Sequence, residues 1–255
     1  MTQVERHQHI VEILKKERFK SVSELSKILK VSVVTIRKDL VMLEQKGLIF
    51  KSHGGASLES PYVSDRSVRL KKLERISEKD AIAKAAVDFI RENDSIIIGS
   101  GTTVEALANY LPQVKLTVLT AAMNISLSLL DHPLLELVQL GGLVRSSSAS
   151  VVGPHTEAML DYFNCKTLFI GADGISIDHG CTTSNMMEAH LNAKMMEHVQ
   201  KTVLLTDSRK FDKKGFGKIC NLNQIDVIIT DHNIPEHYKN MADKLAIELI
   251  LVQTK

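Results

Sequence analysis

The stretch Ser21–Ala56, SVSELSKILKVSVVTIRKDLVMLEQKGLIFKSHGGA, decides how the rest of the chain is read. Its pattern predicts two short helices, a longer third one and a glycine-tipped hairpin. Ser21 and Glu24 stand at capping-box spacing, in which each side chain satisfies an orphan amide at a helix start. Leu25, Ile28 and Leu29 then form an apolar stripe at helical spacing. Val31 ends that helix, and Ser32 is placed to cap the next. Val33, Ile36, Leu40 and Leu43 recur on one face, which leaves Thr35, Arg37, Lys38 and Lys46 to point elsewhere. Gly47 is suited to stop the helix, because glycine takes the left-handed cap conformation at little cost. Leu48–Lys51 reads as a strand, with Gly54 and Gly55 as the turn of a wing.

A short helix, a tight turn and a second helix with Thr, Arg and Lys near its start is a geometry that enters a DNA major groove. The candidate DNA-binding residues are therefore Ser21, Ser32, Val33, Thr35, Arg37, Lys38, His53 and Gly54. A small helical interaction module shares each of these features singly; their combination favours a winged helix-turn-helix. TIRKDL at Thr35–Leu40, LEQKGLI at Leu43–Ile49 and HGGA at His53–Ala56 resemble the DNA-binding end of the DeoR family of bacterial regulators. The resemblance covers the first ~58 residues and implies that the helix starting near Val33 reads DNA.

Composition sets the outer bounds. A chain of 255 residues can hold one large domain or two smaller ones. Its 44% hydrophobic and 24% charged content is that of an ordinary soluble protein. No apolar run approaches the ~20 residues of a membrane helix, and no signal-peptide pattern opens the chain. Cys165, Cys181 and Cys220 are isolated and lack CxxC spacing, which argues for buried thiols in a reducing cytoplasm and against a zinc site. His7 and His9 lie two apart and so face different sides of a helix. They are expected to be solvated or near phosphate rather than metal ligands.

The net charge of +2 hides an asymmetry. Residues 1–75 carry 16 Lys and Arg against 9 Asp and Glu, and residues 76–255 carry 16 against 21. A basic first part on an acidic remainder suits a phosphate-backbone binder joined to a separate sensing domain.

Taken in order, residues 1–20 predict an amphipathic helix completing a three-helix core. Residues 59–76, with Pro61, several serines and the basic run Arg69–Lys72, read as a linker. Ser77 with Asp80 has capping-box spacing and opens a helix whose apolar face is Ile82, Ala85, Ala86, Phe89 and Ile90. From Ser95 onward short apolar strands alternate with helices. The strands are Ser95–Ile98, Leu116–Leu119 and Leu135–Leu140, then runs near Thr167, Val203, Val227 and Ile247. Such alternation implies right-handed βαβ units and an open parallel sheet, with a site at the C-terminal strand ends. The expected organisation is a winged helix-turn-helix over 1–58, a linker over 59–76 and a doubly wound α/β domain over 77–255.

Gly99-Ser100-Gly101-Thr102-Thr103 follows the first of these strands and opens a helix. Glycines let amides approach an anion, hydroxyls donate to it, and the helix start adds a favourable dipole. No Gly-Lys-Ser/Thr ends the loop and no third glycine completes GxGxxG, so a small phosphate site fits better than a nucleotide fold. A bare strand-to-helix turn with no ligand shares the same pattern. Further glycine-rich or small-residue turns at Thr120–Asn124, Gly141–Arg145, Gly171–Gly174 and Gly180–Thr183 suit a cleft for a polar, hydroxyl-bearing ligand. Asp173 can accept sugar hydroxyls. Arg145 and Lys194 can neutralise a phosphate, or else pair with surface carboxylates.

Ser100–Thr103, Gly141-Gly142, Gly171–Ile175, Gly180–Thr183 and Asp207–Phe211 extend the resemblance to the effector domain of DeoR regulators, which is similar in fold to ribose-5-phosphate isomerase. The resemblance implies that Ser100, Gly101, Thr102 and Thr103 hold the phosphate of a phosphorylated sugar and that Asp173 lines the cleft. With it, Thr120, Asn124, Gly142, Arg145, Gly174, Thr183, Lys194 and Lys210 complete the expected effector-binding set. The isomerase has a glutamate where Gly174 stands here, and Glu188 is the sole nearby substitute for a base, read as an exposed helix carboxylate. Binding without turnover is the better reading, and no catalytic, metal or cofactor residue is assigned.

Two functions follow. The first is a DNA-binding transcriptional regulator, a repressor of a carbohydrate-utilisation operon controlled by a sugar phosphate. Its partners would be a double-stranded operator and a second copy of the chain, as a homodimer or homotetramer in the cytoplasm. The alternative is a sugar-phosphate isomerase with a DNA-binding appendage.

Overall fold

The computed structural model describes residues 1–17, 19–52, 54–58 and 62–254, so His53 and Pro61 lie outside the described residues. The chain divides into two units, Met1–Tyr62 and Val63–Lys255.

The first unit runs α1 (Gln3–Lys16), β1 (Phe19–Ser21), α2 (Val22–Leu29), α3 (Val33–Gln45), β2 (Phe50–Ser52) and β3 (Gly55–Ser57). The stretch Ser21–Ala56 thus holds two helices rather than three. Ser32 caps a single 13-residue α3, and the stripe Ile36, Leu40 and Leu43 is continuous through it. Both expected caps form: Ser21 accepts from the Glu24 amide and Ser32 from that of Thr35. Gly47 ends α3 in the left-handed conformation. Its amide donates to the Glu44 carbonyl and the Leu48 amide to that of Leu43, satisfying two orphan acceptors. Ile10 and Leu14 of α1, Val22 and Leu25 of α2, and Ile36, Leu40 and Leu43 of α3 share one core. Val33 is not part of it; at the helix start it stays exposed.

The wing is a three-stranded antiparallel sheet in the order β1-β3-β2. Leu48 and Ile49, expected in a strand, precede it, because Ile49 turns into the core. The strand Phe19–Ser21 was invisible to periodicity: three residues, all half-buried, carry no alternation.

The second unit contains α4 (Val68–Lys72), α5 (Ile76–Ala86), β4 (Ser95–Ile98), α6 (Thr102–Ala108), β5 (Leu116–Thr120), α7 (Met123–Leu129) and β6 (Leu135–Gln139). There follow β7 (Leu143–Arg145), β8 (Ser150–Val152), α8 (Pro154–Leu160), β9 (Cys165–Ile170), β10 (Gly174–Ser176), β11 (Gly180–Thr183) and α9 (Met186–Glu197). The unit closes with β12 (Val199–Leu205), β13 (Gly217–Cys220), β14 (Val227–Asp231), α10 (Glu236–Lys244) and β15 (Glu248–Val252). The capping box expected at Ser77 does not form; α5 starts two residues earlier behind Arg75, and the Ser77 hydroxyl donates to Glu78 instead.

Seven strands make one parallel sheet in the order β15-β14-β12-β9-β4-β5-β6. The chain winds outward from β4 through β5 to β6. It then returns to the other side of β4 and winds the opposite way from β9. This is the doubly wound order, and its switch point lies between β4 and β9. Ile96 and Ile98 of β4 join the core beneath α5, α6 and α7, while Ile97 joins the core beneath α8, α9 and α10. All three are fully buried, as a sheet covered on both faces requires. Each isoleucine contributes about 1.5–3 kcal/mol by leaving water. Two small antiparallel sheets, β7-β8 and β10-β11-β13, sit outside the main one. The three cysteines are buried free thiols, and Cys181 faces Cys220 across β11 and β13.

Candidate functional site

In the first unit, α3 separates two faces by its own periodicity. Asp39 points inward and is 1% exposed, bound by Arg6 and by the His7 ring at 3.0 Å. His7 is therefore a buried structural partner, not the solvated or phosphate-proximal histidine expected from its spacing. Two residues before Asp39, Arg37 projects outward beside Lys38, and among the described residues neither makes an ion pair. Val33 and Val34 are exposed on the first turn, so an apolar edge accompanies the two cations. Thr35 is half-buried and its hydroxyl lies 2.9 Å from that of Ser32. Ser21 is committed to Glu24, to which its hydroxyl donates at 2.6 Å. The Gly54 carbonyl accepts from the Val22 amide at 2.6 Å, tying the wing turn to the start of α2.

The second unit carries a cleft at the C-terminal ends of β4 and β9, where the winding reverses. Its floor is the loop Ser100–Thr103 after β4, with Gly101 at φ +119°, and the turn Gly171–Asp173 after β9. Thr183 at the end of β11 with Ser184 after it, and Lys210 after β12, form one wall. Ser147 and Ser148, between β7 and β8, and Glu188 and Asn192 of α9 form another. Among the described residues, Ser100, Thr102 and Thr103 make no side-chain hydrogen bond, and each is half-exposed toward the cleft.

Asp173 is the centre of the polar network. Its Oδ2 accepts from the Thr183 hydroxyl at 3.1 Å, the Ser184 hydroxyl at 3.2 Å and the Ser184 amide at 3.3 Å. Its Oδ1 meets the Nζ of Lys71 at 2.7 Å and of Lys210 at 3.5 Å. Burial works to raise this carboxyl, but the two ammonium groups and the hydrogen bonds outweigh it and hold the pKa at about 2. Asp173 is thus an anion under all ordinary conditions.

Several expected residues lie elsewhere. Lys194, on α9, pairs with Glu197 and Asp161 and does not line the cleft. Thr120 is buried, its hydroxyl spent on the Ile98 carbonyl at 2.7 Å. Asn124 and Gly142 stand away from the lining, Asn124 on α7 and Gly142 against Thr156. Gly174 is a buried strand residue in register with Thr182. Arg145 is outside the lining too, held by two carboxylates that belong to it, Asp65 at 2.8 Å and Glu188 at 3.2 Å. Glu188 is buried rather than exposed, and the Thr183 hydroxyl donates to it at 3.4 Å. Asp207 caps the turn Ser208–Lys210 and so aims Lys210, while staying outside the lining itself.

Sequence reading missed Ser147, Ser148, Ser184 and Asn192, and it missed Asp65, Arg66, Val68 and Lys71, the last four all within what reads as a linker. The Val68 amide donates to the Ser147 carbonyl at 2.7 Å, and the Val63 amide to that of Lys214 at 2.8 Å. Polar composition signals a connector; the tertiary partners that make this one part of the cleft are remote in sequence. Among the described residues no group of His, Cys, Asp and Glu could hold a metal ion.

A helix-turn-helix unit whose second helix exposes two cations, followed by a doubly wound domain with a cleft at its switch point, is the architecture of a ligand-responsive DNA-binding regulator. The chain belongs to the DeoR family: residues 6–61 match the DeoR-like helix-turn-helix domain, and residues 74–232 match the DeoR C terminal sensor domain. It is 34% identical, over 97% of this chain and 93% of the other, to a provisionally named aga operon transcriptional repressor of Escherichia coli O157:H7. It is 32% identical, over 91% and 94%, to the lactose phosphotransferase system repressor of Staphylococcus epidermidis. The transcriptional repressor GlcR of Bacillus subtilis is 30% identical over 99% and 98%. Among solved structures, ribose 5-phosphate isomerase A from Methanocaldococcus jannaschii overlaps 52% of this chain and 53% of its own, at 15% identity and a TM-score of 0.38. The chain is a transcriptional regulator, not an enzyme. Among the described residues no helix is long and apolar enough to cross a membrane.

Proposed function

We propose that this regulator is a repressor of a carbohydrate-utilisation operon, released from or fixed on its operator by a phosphorylated sugar bound at the switch-point cleft. One observation carries the reading. The unpartnered hydroxyls of Ser100, Thr102 and Thr103 and the ammonium groups of Lys71 and Lys210 line the same cleft as Asp173, an acceptor for sugar hydroxyls. Hydroxyls and cations suit the phosphate, and the carboxylate suits the sugar. The names of the aga operon, lactose phosphotransferase and GlcR relatives support a carbohydrate signal.

On the DNA side, Val33, Thr35, Arg37 and Lys38 face the major groove, with Ser21, Ser32, His53 and Gly54 near the backbone. Groove readers of this kind pair two helices on half-sites one helical turn apart, so the working form is a homodimer or homotetramer. It acts in the cytoplasm, where both phosphorylated sugars and DNA are met. The test is a thermal-shift screen of pentose and hexose phosphates, with each hit retested for its effect on binding to the promoter DNA. A hit that raises the melting temperature and changes operator affinity is the expected result. A screen in which none does both would end this reading.

A further inference from the structure

Residues 62–73 fall between the two family-matched regions, yet they form one side of the cleft. Asp65 is fixed by Arg145, by the Ser147 hydroxyl at 3.2 Å and by the Ser184 hydroxyl at 3.4 Å. Val68 is bound by its amide to Ser147. Buried Lys79 of α5 donates to the Lys71 carbonyl. The segment is seated by contacts on both flanks, and from it Lys71 extends to Asp173.

The pairing at Asp173 is lopsided. Oδ2 is saturated by Thr183 and Ser184, which belong to the fold itself. Oδ1 faces two cations. Arg145 already serves Asp65 and Glu188, and Arg66 serves Glu74 at 2.6 Å. Lys71 and Lys210 therefore bring two positive charges to one carboxylate in a largely water-poor site. Over the whole lining the charges balance, Arg66, Lys71 and Lys210 against Asp65, Asp173 and Glu188, so the surplus is local to Oδ1, and that is where an incoming anion is favoured. An incoming phosphate at Ser100–Thr103 draws the ammonium groups from Oδ1. Asp173 keeps its position through Oδ2, and the vacated Oδ1 becomes an acceptor for a ligand hydroxyl.

We propose that the connecting segment Asp65–Lys71 is a wall of the effector site and that Lys71 is an anion-holding residue, exchanging Asp173 for the ligand's phosphate. Occupancy of the cleft is thereby felt in the segment that runs on to the DNA-reading unit. This rests on the proposed binding of a phosphorylated effector in the same cleft.

The experiment uses the full chain and inorganic phosphate as probe. Binding is followed by calorimetry, and deuterium uptake of the peptide 63–72 is measured with and without phosphate. Lys71→Gln should weaken phosphate binding roughly tenfold and abolish the phosphate-dependent change in uptake. Lys71→Arg should retain both. Lys72→Gln is the control, since that side chain is 64% exposed and pairs with Glu105 at 2.6 Å, away from the lining. Asp173→Asn should bind inorganic phosphate more tightly, because the cations lose their internal competitor. If the wild-type chain binds no phosphate, the proposed effector class falls and this inference with it. If it binds phosphate, but Lys71→Gln binds equally and uptake in 63–72 does not respond, the role of Lys71 falls alone.

Discussion

Arg37 and Asp39 lie two positions apart on α3, and that spacing turns one inward and the other outward. Arg37 is exposed and unpaired among the described residues, so its removal costs the fold little. If it reads a base edge, Arg37→Ala should weaken operator binding by about 1–3 kcal/mol with an unchanged melting temperature. A gel shift at fixed salt would detect this, and equal affinity would remove Arg37 from the interface. Asp39 is the opposite case. Burial works to raise its carboxyl, but hydrogen bonds from Arg6 and His7 prevail and lower it. Asp39→Ala leaves the Arg6 guanidinium, only 12% exposed, without its partner, and should destabilise the first unit by about 2–3 kcal/mol. Because the folded carboxyl titrates below the unfolded one, its contribution is complete above pH ~4 and is lost as pH falls through the lowered value. Thermal melts across that range should converge for wild type and variant at the acid end. The sequence showed the outward face of α3 by its cations, but gave no sign of Asp39, since a carboxylate inside TIRKDL looks like one more exposed charge.

At the scale of elements, what the sequence revealed follows from how local each element's cause is. Caps at Ser21 and Ser32 and the stop at Gly47 depend on neighbours within three or four residues, and each was readable. So was the alternation of buried strands with helices. By contrast β1 exists only because β3 pairs with it, and the order of the cleft-lining segment at 63–72 depends on Ser147, Arg145 and Asp173, each far away along the chain, 80 residues for the Arg145 contact and 102 for that of Asp173. The loop Ser100–Thr103 was legible as a turn; the cations that line the same cleft were not, except Lys210. The wing offers a direct test of such remote causes. A Cβ on Gly55 would stand 2.4 Å from the Lys20 carbonyl oxygen and 2.4 Å from the Phe19 ring. The backbone of β1 cannot retreat without breaking its pairing with β3. Gly55→Ala should therefore cost about 1–3 kcal/mol of stability and displace the wing. Chemical denaturation of residues 1–62 would register the loss, and a variant as stable as wild type would mean that β1 yields freely.

Across the whole molecule, charge separates the two tasks. The excess of Lys and Arg lies in residues 1–75 and that of Asp and Glu in the remainder, so the chain's small net charge understates its attraction for DNA. The doubly wound sheet explains why the sensing site can sit far along the chain and still be one cleft: β4 and β9 are adjacent in space, and their following loops diverge there. By linkage, the effector proposed for this cleft and the operator must alter each other's affinity by the same factor, whichever sign that has. Salt separates the DNA term from the rest. Phosphate neutralisation releases counterions, so the logarithm of operator affinity should fall linearly with the logarithm of salt, with a slope of roughly −0.9 per phosphate contacted. Lys38 is exposed on α3, the helix proposed to enter the groove, and lacks a carboxylate partner among the described residues. Lys38→Gln should reduce the slope by about one per DNA-bound copy and weaken specific and nonspecific DNA alike. Effector binding at the proposed site in the second unit should keep its own salt dependence unchanged in that variant. A slope identical to wild type would place Lys38 off the phosphates, whereas a loss confined to the operator would make it a reader of bases instead.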